Sequence, residues 1–318
     1  MRPLAPVLLA ALLVASACSS SSETDSTPAT PASPITTDTP ATTTNGTEPA
    51  TTEETTDMTD ASTSTELVLA LREALFVDFD VAAAEALLAP DYIQHNPGVP
   101  TGAAPVLGAI PALEESGLRM TTHRVFTDGD FVVAHNTYDN ADFFGAPTLV
   151  GFDVFRVEDG KVAEHWDNLQ APAPPNASGR TLTDGPTEVT DLEETEANKA
   201  LVTEFAQTVL IGGAFDRIGE YIIGGDAYLQ HNPLFGDGLE ALGEAFAQLA
   251  ETGNAIAYSE VHYVLGEGNF VLTMSEGTFG DTPTAYYDLF RLDDGKIVEH
   301  WDVIQEIPAE MAHDNGKF

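Results

Sequence analysis

DVFRVEDGKVAEHWD, residues 153–167, returns as DLFRLDDGKIVEHWD at residues 288–302, 135 positions later. A second pair of segments, YIQHNP at residues 92–97 and YLQHNP at residues 228–233, is separated by 136 positions. Nearly equal offsets of this length indicate that one whole domain was duplicated in tandem. The polar residues persist in both copies while the apolar ones vary, as core packing allows. The retained polar residues therefore belong either to shared structural hydrogen bonds or to a functional site.

The repeated segment predicts a β-hairpin, because Asp-Gly separates two runs of alternating apolar residues. We expect residues 158–160 to form a three-residue loop, which places Asp153 opposite His165. Residues in such a pair have Cβ atoms roughly 5 Å apart, close enough for a carboxylate and an imidazole to hydrogen-bond. Asp167 lies two residues further along and shares this face of the strand. A two-residue loop would instead shift the pairing by one residue and separate Asp153 from His165.

Each copy has a pattern of helices followed by strands. In the first copy we predict helices over residues 66–76, 81–88 and 103–115, an extended segment over 92–95, and strands over 121–126, 131–138, 149–157 and 161–169. In the second copy we predict helices over residues 198–210 and 215–222, and strands over 259–265, 270–276, 284–292 and 296–305. Helices followed by an antiparallel meander indicate an α+β fold with helices on one face of a curved sheet.

Three motifs of the first copy resemble the SnoaL-like branch of the nuclear transport factor 2-like superfamily: YIQHNP at 92–97, GDFVVAH at 129–135 and FDVFRVEDGKVAEHWDNLQ at 152–170. The resemblance covers nearly all of both copies and implies two tandem cone-shaped α+β barrels, each with a pocket between helices and sheet. Characterised members include polyketide cyclases, ketosteroid isomerases and epoxide hydrolases, which use carboxylate acid/base chemistry without a cofactor. The fold also serves non-catalytic binding proteins, so fold alone does not settle the activity.

Asp153 is the main candidate for chemistry, because a carboxylate among apolar neighbours needs a partner and gains a pKa useful to a general base. The predicted catalytic residues are Asp153, His165 and His135, with Asp288 and His300 as counterparts in the second copy. The predicted ligand-binding residues are Tyr92, His95, Asp167, Tyr228, His231 and Asp302. The alternative is that Asp153 and His165 form a structural hydrogen bond and that His95 only completes a turn.

The two copies differ at one of these positions, because Met274 stands where the first copy has His135. A methionine neither donates a proton nor forms a strong hydrogen bond. If His135 polarises the carbonyl group of the substrate, the first copy carries the chemistry on a small apolar carbonyl compound, and the second copy is degenerate or binds only an apolar ligand. The alternative is a lipoprotein that binds a small hydrophobic ligand without converting it, or that serves only as an interaction module of the cell envelope.

A metal site is the less favoured interpretation of the histidines. Imidazole and carboxylate groups of His95, His135, His165 and Asp153 are suitable ligands for zinc and similar ions. However, no His-x-x-x-His motif or cysteine pair supports such a site, and Met274 removes one ligand from the second copy. We therefore expect neither a metal nor another cofactor.

The N-terminal residues 1–17 resemble the signal of a bacterial lipoprotein, with Arg2, an apolar run and small residues before Cys18. In that family the cysteine is lipidated; ordinary cleavage nearby is the alternative, because Ala15 replaces the usual leucine. Residues 18–65 are rich in Ser, Thr, Pro and acidic residues and predict a disordered stalk. We therefore expect an exported protein, lipid-anchored to the outer face of the bacterial cytoplasmic membrane.

The net charge is −39, from 12 basic and 51 acidic residues, which argues against a nucleic-acid partner. We predict domains over residues 66–170 and 196–307, a linker over 171–195 and a tail over 308–318. Single domains of this superfamily commonly pair through their sheets, so the two copies are expected to form a pseudo-dimer within one chain. Trp166 and Trp301 are expected at the contact between them.

Overall fold

The computed structural model describes the backbone of residues 54–318 and the side chains from residue 63 onward. The predicted signal, Cys18 and most of the stalk lie outside these described residues. Helix α1 covers Glu54–Phe76 and so includes the last residues of the segment predicted to be disordered. Extending an existing helix costs less than nucleating a new one, which explains the early start. Within the described part of the chain, no helix is long and apolar enough to cross a membrane.

The first half of the chain, residues 66–170, folds into a five-stranded sheet covered by helices on one face. After α1 come α2 (Val81–Leu87), β1 (Leu88–Gln94), α3 (Ala103–Ser116), β2 (Arg119–Asp128), β3 (Phe131–Asp139), β4 (Thr148–Glu158) and β5 (Lys161–Gln170). The strand order is β1-β5-β4-β3-β2, with β1 parallel to β5 and the other pairs antiparallel. Apolar side chains of the helices, among them Val68, Leu71 and Ile110, pack against this sheet. The α+β prediction is confirmed.

The second half, residues 196–307, forms a sheet of the same strand order, β6-β10-β9-β8-β7. Its elements are α4 (Thr195–Phe205), β6 (Leu229–Gln230), α5 (Leu239–Glu251), β7 (Ile256–Glu267), β8 (Phe270–Phe279), β9 (Thr282–Asp293) and β10 (Lys296–Glu306). Two helix predictions need correction here. The end of the first helix is π-helical over Ala206–Ile211, and the second is a 3-10 helix over Phe215–Glu220.

The hairpin between β4 and β5 does not have the predicted three-residue loop. Glu158 pairs with Lys161, so the loop consists of Asp159 and Gly160 alone. Both loop residues have positive φ, 50° and 70°, as a type I′ turn requires. The predicted loop was one residue too long, because Asp159 and Gly160 close the turn by themselves.

The shorter loop alone would turn the side chains of β5 that follow it to the opposite face of the sheet. A β-bulge restores them to the predicted face. Val157 pairs with Val162 but Arg156 pairs with Glu164, which leaves Ala163 as the extra residue. Asp153 consequently pairs with Asp167, and His165 reaches Asp153 diagonally on the same face. The β9–β10 hairpin repeats this register shift one residue before Glu299.

The two sheets pack against each other through the faces that point away from their helices. The apolar layer between them includes Trp166 of the first half and Trp301 of the second. The Trp166 ring centroid lies 5.3 Å from that of Tyr263, and the Arg124 guanidinium lies 4.2 Å from the Trp301 ring centroid. Both tryptophans therefore contact residues of the opposite half.

Each half is also contacted by the segment that follows the other half. Thr181 of the linker accepts a hydrogen bond from His231 through its carbonyl oxygen, and Asn176 donates to the Gln230 carbonyl. In the segment 308–318, Ala312 donates to the Pro97 carbonyl and Asn315 donates to the Gln94 carbonyl. The predicted linker therefore has defined contacts with the second half.

Candidate functional site

A cleft between α1, α3 and the first sheet forms the first pocket, with about 740 Å³ of empty space that includes space open to solvent. Its walls are mainly apolar side chains of the helices and of the Phe143–Phe144 turn. The polar groups lie on the sheet side: Tyr92, Gln94, Asn96, Tyr138, Asp153, His165 and Asp167. An apolar cleft with a few converging polar groups is the usual form of a small-molecule site.

Asp153 is buried, and its carboxylate has three hydrogen-bond partners. His165 Nε2 lies 3.1 Å from Oδ1, while Asn136 Nδ2 and the Tyr138 hydroxyl donate to Oδ2 at 2.5 and 2.6 Å. The buried Arg72 donates to Asn136 Oδ1 and so connects a cation to this carboxylate. Burial alone would raise the pKa of Asp153, but the hydrogen bond and charge of His165 and the charge of Arg72 hold it below its usual value. Asp153 is therefore an ionised acceptor whose bonding capacity is largely used.

His165 is held by oxygen acceptors at both ring nitrogens. Its Nδ1 lies 3.0 Å from Gln94 Oε1, opposite the contact of Nε2 with Asp153. The identity of Oε1 is fixed because it also accepts from the backbone N–H groups of His95 and Asn96. Two acceptors are satisfied together only by the imidazolium form, which donates at both nitrogens. His165 and Asp153 therefore form an ion pair inside the cleft.

Asp167 and Tyr92 supply the groups that remain open to a ligand. Asp167 Oδ2 accepts from Asn96 Nδ2 at 2.6 Å, whereas Asp167 Oδ1 is buried without a hydrogen-bond partner. The Tyr92 hydroxyl accepts from Gln94 Nε2 at 3.3 Å, which leaves its own proton available. Burial, and then the charge of Asp167, raise the pKa of Tyr92, so the hydroxyl stays protonated. The pocket thus presents an acceptor without a hydrogen bond, Asp167 Oδ1, and an available donor, the Tyr92 hydroxyl.

Lys317 is the third cation near these carboxylates, after Arg72 and the imidazolium of His165, and it comes from the segment 308–318. Its Nζ donates to the Asp167 carbonyl at 2.6 Å and lies 3.8 Å from Asp167 Oδ1. Only 3 % of the residue is exposed. Burial lowers the pKa of Lys317 to about 8, against the opposing charge of Asp167.

Two of the predicted site residues of the first half lie outside the pocket. His135 is on the opposite face of β3, where it stacks on Phe152 and faces Arg124 with Nδ1 at 3.1 Å. The alternation of β3 gives the pocket Asn136 and Tyr138 instead, so His135 cannot polarise a carbonyl there. His95 stacks on Trp166, and its ring nitrogens face Glu164 and the Gly316 carbonyl. Both histidines therefore belong to the layer between the sheets or its edge.

Comparison with protein families matches residues 68–165 to the family described as SnoaL-like domain. Residues 68–165 are a SnoaL-like domain. The match ends at His165, before Asp167 and before the second half. A comparison with curated proteins gave no match.

Several solved structures are similar to part of the chain. TsrD from Streptomyces laurentii is 24% identical, with 34% of this chain and 89% of that chain covered and a TM-score of 0.30. IdmH, a putative polyketide cyclase from Streptomyces antibioticus, is 22% identical, with 34% and 91% covered and a TM-score of 0.29. An LEH-like epoxide hydrolase from M. tuberculosis is 20% identical, with 35% and 84% covered and a TM-score of 0.29.

The second half builds a closely related cluster, and its cleft, the second pocket, has about 510 Å³ of empty space that includes space open to solvent. His300 Nε2 lies 3.0 Å from Asp288 Oδ1, and Asn232 donates to Asp302 Oδ2 at 2.6 Å. Asp302 Oδ1, like its counterpart in the SnoaL-like domain, is buried without a partner. Tyr228 accepts from the Gln230 side chain, as Tyr92 does from Gln94. His231 is excluded from the cleft, stacked on Trp301.

Around Asp288 the second half lacks the donors that surround Asp153. By the alignment of the two copies, Ala206 takes the place of Arg72, Ser275 that of Asn136 and Gly277 that of Tyr138. The hydroxyl that donates to Asp288 comes instead from Tyr258 on the neighbouring strand, at 3.1 Å. Gly277 permits this arrangement, because a Cβ there would lie 1.9 Å from the Ala257 carbonyl oxygen of that strand.

The loss of Arg72 and Lys317 leaves the second cluster short of positive charge. Burial raises the pKa of Asp302 to about 6, against the opposing charge of His300, and the charge of Asp288 adds to the rise. Burial alone would lower the pKa of His300, but the hydrogen bond to Asp288 and the charges of Asp302 and Asp288 raise it. The first cluster therefore sets three cations, from Arg72, His165 and Lys317, against two carboxylates, whereas the second cluster sets the single imidazolium of His300 against two.

The residues first considered as metal ligands are not brought together, since His95 and His135 both lie away from Asp153. A different set in each half has ligand atoms within 4.8 Å of one another: Asp153, His165 and Asp167, and Asp288, His300 and Asp302. In both sets the histidine nitrogen that faces the cluster is already hydrogen-bonded to a carboxylate. The expectation of a metal-free site stays a prediction.

Proposed function

We propose that the SnoaL-like domain binds a small apolar carbonyl compound and removes a proton from the carbon next to the carbonyl. The observation that carries this proposal is the pairing of a free acceptor, Asp167 Oδ1, with a free donor, the Tyr92 hydroxyl, in one apolar cleft. A carboxylate that takes the proton and a hydroxyl that binds the resulting oxyanion are the two groups that enolisation needs.

In this reaction Asp167 Oδ1 accepts the proton, the C–H electron pair forms the enolate double bond, and the carbonyl oxygen gains a hydrogen bond from Tyr92. The enolate then takes the proton back at another carbon in an isomerisation, or attacks a second carbonyl in a ring closure. Arg72, Lys317 and the imidazolium of His165 favour this anionic intermediate, because the buried cluster carries more positive than negative groups.

This assignment changes the predicted roles. Asp153 was expected to be the general base, but its oxygens are occupied by His165, Asn136 and Tyr138. Asp153 is better suited to keep His165 protonated and in place, and the base is the residue that was expected only to bind ligand. The hydrogen bond to the carbonyl oxygen of the substrate comes from Tyr92 alone, and His135 takes no part in it.

The experiment is α-proton exchange of 1-indanone, an apolar ketone, in D2O with the purified full chain, followed by proton NMR. We expect Asp167→Asn to slow exchange by ~10²–10⁴-fold, the usual cost of losing a general base. Tyr92→Phe should slow it as well. Asp139→Asn is the matched control, because the Asp139 side chain is 42% exposed and lies in the same domain but outside the pocket lining.

Exchange that is equal in the wild type and in Asp167→Asn would overturn the enzymatic proposal. If 1-indanone nevertheless bound, with an affinity that depends on Tyr92, the non-catalytic alternative would hold. The pocket would then be that of a protein that binds hydrophobic ligands without converting them.

We further propose that the second half is a second cone-shaped SnoaL-like domain, paired with the first as a pseudo-dimer. Its equal strand order, the repeated hairpin with its bulge and the apolar layer between the sheets support this. We also propose export and lipid anchoring through Cys18, supported by the sequence of residues 1–18 alone. The ligand would then be met outside the cytoplasmic membrane.

A further inference from the structure

The second pocket differs from the first in the balance of its charges. Among the side chains from residue 63 onward, no lysine or arginine forms an ion pair with Asp288 or Asp302, and His300 is their only cationic partner. The position of Arg72 is occupied by Ala206, which is fully buried. The segment that follows the other half, residues 171–195, brings no lysine to the second cluster. One negative charge in this cleft is therefore without a compensating group.

That charge lies on an oxygen that lines the cleft. Asp302 is 4 % exposed, it belongs to the pocket lining, and its Oδ1 has no hydrogen-bond partner. A buried ionised oxygen without a donor costs free energy that a donor from a ligand recovers. The rest of the cleft is an apolar chamber formed by side chains such as Phe205, Leu242 and Phe246.

We propose that the second pocket binds a primary amine with an apolar body, with the ammonium group donating to Asp302 Oδ1. The aromatic and aliphatic walls take the body of the ligand, and Asp288 contributes a second negative charge close to the ammonium. The strongly acidic chain, with its net charge of −39, attracts such cations to the surface. The two halves then bind ligands of opposite character, an anion-forming ketone in the first and a cation in the second.

A divalent metal ion is the competing occupant, because the ligand atoms of Asp288, His300 and Asp302 lie within 4.8 Å of one another. The geometry favours the amine for two reasons. His300 donates at Nδ1 to Gln230 and faces Asp288 with Nε2 at 3.0 Å, so it has no free lone pair for a metal in this arrangement. The cleft also extends over an apolar volume that a bare ion would not fill.

Amine binding requires ionised Asp302 and therefore depends on pH. Burial raises the pKa of Asp302 to about 6, so affinity should fall as the pH drops below about 6. Several groups that titrate or carry charge surround Asp302. His300 is on the same strand, β10, and the others come from neighbouring segments: Asp288 and Tyr286 of β9, Tyr258 of β7, and Tyr228 and His231, which flank β6. Burial raises the pKa of Tyr228, Tyr258 and Tyr286, so these hydroxyl groups stay protonated at neutral pH and do not titrate together with Asp302.

The test is isothermal titration calorimetry of the full chain with benzylammonium chloride at pH 7. Benzyl alcohol, which has the same ring and no charge, serves as the matched ligand. We expect the alcohol to bind roughly 10- to 100-fold more weakly, the usual difference between a charged and a neutral hydrogen bond. Asp302→Asn should lose a similar factor for the amine, whereas Asp167→Asn should retain amine binding. Lowering the pH to 5 should weaken the amine and leave the alcohol unchanged.

Equal affinities for amine and alcohol, or amine binding that survives Asp302→Asn, would overturn the proposal. Loss of amine binding in Asp167→Asn alone would place the cation in the first pocket and also overturn it. Zinc chloride titrated alone provides the metal arm: zinc binding that depends on Asp302, without amine binding, would identify a metal site instead. The proposal is independent of ketone exchange by the SnoaL-like domain, so each fails separately.

Discussion

Replacing Asp302 by asparagine should stabilise the protein at neutral pH. Burial raises the pKa of Asp302 from the usual 3.8 to about 6. The folded protein thus holds this proton more tightly than the unfolded chain does. The stabilisation that the folded protein gains from protonated Asp302 is therefore complete below about pH 4 and is lost as the pH rises through about 6. Since one pKa unit corresponds to about 1.36 kcal/mol, the ionised Asp302 costs about 3 kcal/mol at pH 7.

Asparagine keeps the oxygen that accepts from Asn232 Nδ2 and cannot ionise. It also removes one of the two carboxylates that raise the pKa of His300, which offsets part of the gain. We therefore expect the free energy of unfolding to increase by about 1–3 kcal/mol at pH 7 and to change little at pH 4. Urea denaturation followed by circular dichroism at both pH values measures this difference.

Asp153→Asn is the matched comparison and should have the opposite sign. It removes the carboxylate that Arg72 reaches through Asn136, and breaking a buried charge network typically costs roughly 3–5 kcal/mol. A loss of stability at pH 7 in Asp302→Asn, similar to that in Asp153→Asn, would refute the reasoning. It would mean that both carboxylates are compensated to the same degree.

Three further predictions concern Lys317, the carboxylates of the two copies and Cys18. The exchange of 1-indanone by the wild type should slow above about pH 8, where Lys317 loses its proton. Below that pH the exchange rate of Lys317→Met should be roughly tenfold lower than that of the wild type, and it should not fall further above pH 8. Rates measured from pH 6 to 9.5 test this. Asp153→Asn should abolish exchange while Asp288→Asn leaves it nearly intact, because the cations that favour the enolate surround the first cluster. NMR exchange rates of both variants test this, and equal losses would contradict it. Cys18→Ser should move the protein from membrane pellets to the soluble fraction, and a variant that still pellets in high salt would contradict lipid anchoring.

For the β4–β5 hairpin, the sequence predicts the strands and the face that their side chains share, but not the length of the loop. Alternation around Asp-Gly correctly predicted two strands and brought Asp153, His165 and Asp167 to one face. The loop length was wrong, yet the face was correct, because the bulge at Ala163 adds the residue that the shorter loop removes. Bulges depend on strand pairing across the sheet, and the alternating pattern of one strand does not contain that information.

The prediction that His135 lies in the pocket was wrong for a related reason. The prediction depended on the motif GDFVVAH at residues 129–135, which contains His135. Strict alternation from Tyr138 places His135 on the other face of β3. Asn136 and Tyr138 lie on the same face as the pocket and were overlooked, although their spacing of two residues was visible in the sequence.

Arg72 and Lys317 were not predictable from local patterns. Arg72 lies on a helix among apolar residues, where an arginine usually extends its charge into water. Lys317 reaches Asp167 from 150 positions away, in a segment without a recognisable motif. The difference in charge between the two copies depends on these long-range contacts, and comparing the repeated motifs with each other could not reveal it.

Carbon-13 NMR of the side-chain carboxyl groups, titrated from pH 2 to 8 in the full chain, tests most directly whether the two clusters differ in charge balance. Spectra of Asp153→Asn and Asp302→Asn assign the two resonances. We predict that Asp302 titrates near pH 6, because burial raises its pKa, and that Asp153 titrates below its usual 3.8, because His165 and Arg72 compensate its burial. Equal midpoints for the two groups, or a lower midpoint for Asp302, would contradict the account.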